Sequence, residues 1–276
     1  MPFQDLLQQM GMQYDSNREV LLMGLILARS MPLVFLAPYL GGAMLPSEVK
    51  IGLGVALAVI SYPLAREALH GPLPMQALPV LMLMMKEAMV GFCIGFSTSH
   101  MFSAMEVAGR FIDTARGAAM GEVMLPSTKQ RATVLGNLYQ QLLVVFFVTL
   151  GGYRLFFDMY LSSFVRIPLD VGIAPTPGYA PMVAYACETS SKVLYIGVIM
   201  AAPGVAATFI TDLVFGILNR VAPQLNAYFL AMPVKAMGGL ALVLVGLPPI
   251  VQRFEIYLTE ALVAVEQTIE LLTRKL

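Results

Sequence analysis

Residues 219–226, Asn219-Arg220-Val221-Ala222-Pro223-Gln224-Leu225-Asn226, put an arginine, a proline and three carboxamides in the middle of an otherwise apolar stretch. In a low-dielectric setting unwound polar backbone survives only where protein buries it or water lines it. The segment therefore marks a working site or a packed junction, and the chain around it reads as helices that stop and restart. Composition agrees. Hydrophobic residues make up 58% and charged residues 12%, against about 45–50% and 25% in soluble globular chains, which places the chain in or against a membrane. Seventeen basic and 17 acidic residues cancel, so nothing recommends nucleic acid or an acidic lipid surface as a partner. No polar linker or charge run divides the chain, and residues 1–276 read as one domain. The segment 1–18 holds Asp5 and Asp15 and lacks the basic region and small-residue cleavage site of a removable signal.

A spanning helix needs about 20 apolar residues, and most charge-free intervals fall short of that. Residues 51–65 lie between Lys50 and Arg66, and 236–252 are interrupted by Gly238-Gly239 and Pro248-Pro249. Residues 30–47 contain Pro32, Pro38 and Pro46, and 193–211 contain Pro203-Gly204. Proline inside a helix removes a hydrogen bond and clashes with the preceding turn, so kinked or split helices are expected. Only 132–153 is both long and unbroken. The fold expected is all-α, hydrophobic hairpins of broken helices near 3–12, 18–37, 46–68, 76–106, 107–120, 130–164, 182–217 and 234–272. The loop 166–181, rich in proline and glycine, reads as an exposed connector. Residues 253–276 form an amphipathic helix, with Phe254, Tyr257, Leu258, Ala261, Leu262, Val265, Ile269 and Leu272 on one side and Glu255, Glu260, Glu266 and Glu270 on others. Acids dominate its polar face, which favours docking on a protein partner over lying on lipid.

Four charged residues, Glu106, Arg110, Asp113 and Arg116, fall at helical spacing and can neutralise one another. They are either a self-paired stripe packed on a neighbour or the base of a constriction, because Gly109, Gly117 and Gly121 bracket the small apolar tip Ala118-Ala119-Met120. Met82, Met84, Met85 and Met89 read as adaptable core filling, and Glu188 with Lys192 as a structural pair. Cys93 and Cys187 stand alone, and His70 and His100 have no acidic partner at ligand spacing, so neither a disulfide nor a metal site is expected. There is no G-x-S-x-G, H-E-x-x-H or paired-aspartate signature, which leaves an enzyme without machinery and calls for no cofactor.

The order Arg220-x-x-Pro223-Gln224-x-Asn226 followed by Pro233-Val234-Lys235 resembles the FliR/SctT family of type III secretion export-gate subunits. So does Ala108-Gly109 followed by Asp113-x-x-Arg116-Gly117, with Pro126 beyond. The arginine before Gly117, and Pro38-Tyr39-Leu40-Gly41-Gly42 with Pro46, look more like the injectisome (SctT/YscT/SpaR-like) branch than flagellar FliR. The resemblance runs from Arg29 to Lys235 in order. It implies a non-enzymatic subunit of the bacterial inner-membrane export gate, built with SctR- and SctS-like subunits into a helical assembly raised above the bilayer and joined by an SctU-like export-switch protein. Unfolded secretion substrates pass through such an assembly. It also implies that Gly109, Arg110, Asp113, Arg116, Gly117, Ala118, Ala119, Met120 and Gly121 form a plug that closes the channel. Arg220, Pro223, Gln224, Asn226, Pro233 and Lys235 then form an assembly motif. The competing reading is a self-contained secondary transporter with Asp113 or Asp212 as its proton carrier.

Overall fold

The computed structural model describes residues 16–42, 45–117, 123–124, 131–172, 179–225, 229–238, 241, 259, 263 and 265–270. Its helices are α1 (Ser16–Leu36), α2 (Ser47–Glu67), α3 (Ala77–Ala115), α4 (Val134–Thr149), α5 (Gly152–Arg166), α6 (Tyr179–Val221) and α7 (Phe229–Gly238), with a further helical stretch at 265–270. The only strands among the described residues are β1 (Val123–Met124) and β2 (Arg131–Ala132), an antiparallel ribbon pairing Val123 with Ala132. The fold is helical, as its composition requires. Among the described residues four helices, α1, α2, α3 and α6, are long and apolar enough to cross a membrane, and a fifth span results if the broken pair α4–α5 counts as one.

The breaks differ from those expected. The helices expected at 76–106 and 107–120 are joined across their boundary in one helix, α3, which runs to Ala115, and Gly109 within it serves a helix contact. The interval 132–153 yields only the 16-residue α4, since Gly151 takes the left-handed φ of 78° and α5 starts afresh. Pro32, Pro63 and Pro203 are carried inside α1, α2 and α6. A proline is tolerated there where neighbouring groups satisfy the freed carbonyl. The helix expected at 3–12, the break at Pro248-Pro249 and most of 253–276 lie outside the described residues.

Two compact units are interleaved in the chain, the first from residues 1–97, 154–183 and 265–276, the second from 98–153 and 184–264. Their boundaries at 97/98, 153/154 and 183/184 fall inside α3, α5 and α6, not in connectors.

In the first unit α1 buries Leu22, Leu25, Ile26, Leu33 and Val34 and packs along α2. Gly91-x-x-x-Gly95 of α3 lets two backbones touch: a methyl group at Gly91 would run into the Arg29 carbonyl, and one at Gly95 would lie 3.0 Å from Leu33 Cα. Directly there, Arg29 is wholly buried. Its Nε meets Glu87 at 2.5 Å, its other nitrogens donate to Ser163 Oγ at 3.1 Å and the Ile167 carbonyl at 2.7 Å, and the guanidinium lies 4.3 Å from the Phe164 ring centre. Lys86 Nζ sits 2.6 Å from Glu87 Oε1 and donates to the carbonyls of Pro168 and Val171 at 2.8 and 2.9 Å. Two cations thus gather at the C-terminal end of α5, where unpaired carbonyls and the helix dipole favour positive charge.

That arrangement corrects the reading of 166–181 as an exposed connector. Its described first part is pinned by Lys86 and Arg29, and Leu169 is buried. Met82, Met84 and Met85 are exposed on α3 and do not fill the core. The stretch 265–270 is amphipathic as expected, Val265, Thr268 and Ile269 being buried and Glu266 and Glu270 exposed. Its apolar side packs within its own chain, where Thr268 Oγ1 and Ser97 Oγ meet at 2.8 Å.

In the second unit the last part of α3 meets α6 at two glycines. A methyl group at Gly197 would press on Val107, and one at Gly204 on Ile112. Phe102 of α3 and Phe147 of α4 pack edge to face with centroids 5.6 Å apart. The faces of α6 carrying Val198, Phe209, Ile210, Leu213, Val214 and Ile217 remain exposed.

Replacing Glu87 by alanine leaves Arg29 and Lys86 buried beside each other without their counter-charge, a loss of about 3–5 kcal/mol. The expected outcome is a chain that no longer accumulates in membranes, read by quantitative immunoblot of membrane fractions.

Candidate functional site

The charged end of α3 divides into two pairs with different surroundings. Arg110 and Glu106 meet at 2.6 Å in an exposed contact. Arg116 and Asp113 meet at 2.5 Å with the carboxylate 1% exposed. The self-neutralising stripe read from spacing is therefore present, and its second half is buried.

Asp113 does more than pair with Arg116. Its Oδ1 accepts from Arg116 Nε at 2.8 Å, while its Oδ2 accepts from the Leu135 amide, also at 2.8 Å. Leu135 is the second residue of α4, and its amide is one of the donors that a helix start leaves without an internal partner. A carboxylate from α3 thus caps α4 and adds a favourable charge to the positive end of its dipole. This link is possible because α3 and α4 come into backbone contact one turn earlier. A methyl group on Gly109 would lie 2.5 Å from Gly136 Cα and from Leu135 C.

One carboxylate therefore binds both flanks of the segment 117–133: Arg116 at its entry and Leu135 at its exit. Gly117 turns the chain away from α3 with φ 77°, a conformation glycine adopts without strain. The β1–β2 ribbon then pairs the segment with itself. Ala118, Ala119, Met120 and Gly121, the expected tip, lie outside the described residues.

The second constellation sits where α6 ends. Ala222 N donates to Leu218 at 2.8 Å, Pro223 cannot donate, and a single 3-10 turn, Pro223–Leu225, follows. Arg220, Pro223 and Gln224 are exposed, so their burial within this chain, one half of the expectation, is not met. Asn226 lies outside the described residues. Pro233 is exposed on α7, and Lys235 forms an ion pair with Asp212 of α6, which ties the two helices together across the reversal. The pair Lys192–Glu188, at 2.9 Å, is exposed as a simple i,i+4 contact. No group of three or more potential metal ligands occurs among the described residues.

Sequence reasoning missed the Arg29–Glu87–Lys86 cluster and the capping of α4. The first left a signal, since a lone arginine and a Lys-Glu pair in apolar surroundings must find partners. The second left little: Asp113 and Leu135 are 22 residues apart, with nothing in either to announce the other.

Residues 20–261 match the family described as bacterial export proteins, family 1. The flagellar biosynthetic protein FliR of Bacillus subtilis is 29% identical over 199 residues, 72% of this chain and 75% of that protein. The Yop proteins translocation protein T of Yersinia pestis is 29% identical over 230 residues, 83% of this chain and 87% of that protein. The surface presentation of antigens protein SpaR of Salmonella typhimurium is 25% identical over 209 residues, 76% of each. Identity to a flagellar relative and to a translocation relative is the same, so these distances do not separate the two branches.

Gly109→Val is expected to push α3 from α4 and pull Asp113 off the Leu135 amide. Overpacking of about 1–3 kcal/mol lowers the melting temperature by about 2–4 °C per kcal/mol for a chain of this size, measurable by thermal unfolding in detergent.

Proposed function

The chain belongs to the bacterial export proteins, family 1, and on that premise we propose that it is a non-enzymatic subunit of the type III export gate in the bacterial inner membrane, whose segment 117–133 plugs the secretion channel. The observation that carries this reading is the double engagement of Asp113. A movable barrier needs a base that is fixed and a tip that is not part of the core, and Asp113 fixes both flanks of a loop through one buried side chain. Relatives named for translocation, antigen presentation and flagellar biosynthesis support an export subunit. The Asp113-x-x-Arg116-Gly117 order favours an injectisome.

The partners proposed are SctR- and SctS-like subunits and an SctU-like switch protein. Exposed Arg220, Pro223 and Gln224 at the end of α6 suit this role, because a guanidinium and a carboxamide beside a carbonyl that Pro223 leaves unbonded are built to join another polar surface. The transporter reading is weakened at both of its candidate carriers. Asp113 is held by an arginine and a backbone amide, and Asp212 is paired with Lys235.

Deleting Ala118 to Met120 is expected to raise the ion leak of the assembled complex in planar bilayers. Unchanged conductance would remove the plug. For the assembly motif, Gln224→Ala with Asn226→Ala is expected to lower recovery of partner subunits roughly tenfold, as the loss of one or two hydrogen bonds to a partner implies. The level of the chain itself should be unchanged. Full recovery in a pull-down from membranes would assign the motif elsewhere.

A further inference from the structure

Thr133 stands in the position that caps α4 from within the chain. Its φ of −81° and ψ of 147° are those of a helix-capping residue, and its carbonyl already accepts from the Asn137 amide at 3.0 Å. Its hydroxyl, however, makes no capping bond. The side chain is 7% exposed, and Oγ1 is buried without a hydrogen-bond partner among the described residues. It points at the helix start, since a methyl group on Gly136 would lie 2.5 Å from it. A threonine hydroxyl in that place ordinarily accepts from the second or third amide of the helix, here Leu135 or Gly136. The Leu135 amide is instead taken by Asp113.

Asp113 and Thr133 thus face the same helix start, where Asp113 holds the Leu135 amide while the buried Thr133 hydroxyl makes no bond, a cost to the helix in this state. We propose that Asp113 and Thr133 are alternative caps of α4, so that Thr133 takes over the helix start when Asp113 lets go. Thr133 is a positioning residue: it makes release of Asp113 inexpensive for α4. Release from the Leu135 amide frees the exit flank of 117–133, while the local pair of Asp113 Oδ1 with Arg116 can persist at its entry. The regulatory side of this inference rests on the plug reading above, while the exchange of caps does not.

The exchange is tested by a double-mutant cycle on the full chain in detergent. Thr133→Val in the natural background removes an idle hydroxyl and is expected to leave the melting temperature unchanged or raised. In the Asp113→Ala background, the same change removes the only remaining side-chain cap and is expected to lower it by about 2–4 °C, the loss of one capping bond. Equal shifts in both backgrounds overturn the exchange. In cells, Thr133→Val is expected to reduce secretion roughly fivefold, by the loss of about 1 kcal/mol from the released state, with the closed-state ion leak and complex yield unchanged. Thr133→Ser, which keeps the hydroxyl, is expected to secrete normally. Normal secretion by both variants, or loss by both, overturns the role in opening, and this arm decides alone should Asp113→Ala fail to assemble. A cycle that shows coupling while deletion of Ala118 to Met120 leaves the leak unchanged would keep the exchange of caps and discard the plug.

Discussion

Helix ends are the constraint on which this structure turns. Each helix finishes with backbone donors or acceptors that have no partner inside it, and in surroundings this apolar water is not there to satisfy them. The chain answers with charged side chains drawn from other helices. Asp113 of α3 serves the start of α4, and Arg29 of α1 with Lys86 of α3 serves the end of α5 and the turn beyond it. The signs match the helix dipole in both places. Each set also has a counter-charge beside it: Arg116 matches the carboxylate, and Glu87 lies between the two cations and offsets one of their charges.

These capping contacts depend on glycines that bring backbones within reach of one another. Gly109 facing Gly136, and Gly91 and Gly95 facing α1, remove the side-chain layer that normally holds helix axes 8–10 Å apart. A short carboxylate such as Asp113 can then span from one helix to the backbone of the next. The polar residues and the small residues of this chain thus solve one problem jointly.

Much of this was legible in the sequence, and the rest was hidden for physical reasons. Composition gave the helical membrane class, and spacing gave the pairs Arg110–Glu106, Arg116–Asp113 and Lys192–Glu188, because such contacts are local. Breaks were harder to place. Pro203 and the boundary expected between 106 and 107 read as interruptions, yet each lies within a continuous helix, since a residue that weakens a helix locally is kept when its neighbours gain from the contact. At the candidate site, Asp113 and Arg116 were visible, whereas Thr133 was not, because its meaning comes from the bond it does not make. The exposure of Arg220 and Gln224 could not be read from residue type, which signals only a need for partners and not which chain supplies them.

The length of α3 carries a consequence of its own. Thirty-nine residues at 1.5 Å each make a rod about 58 Å long, nearly twice the hydrocarbon thickness of about 30 Å. Lying wholly inside that slab would require a tilt near 60°, well beyond the 0–40° that spanning helices adopt. A large part of α3 must therefore stand clear of the lipid tails. The charge-free run 88–105, between Glu87 and Glu106, is about 27 Å long and is the part suited to remain among them. The end that carries Arg110 and Asp113 then emerges at or past the headgroups, where water and ions reach it.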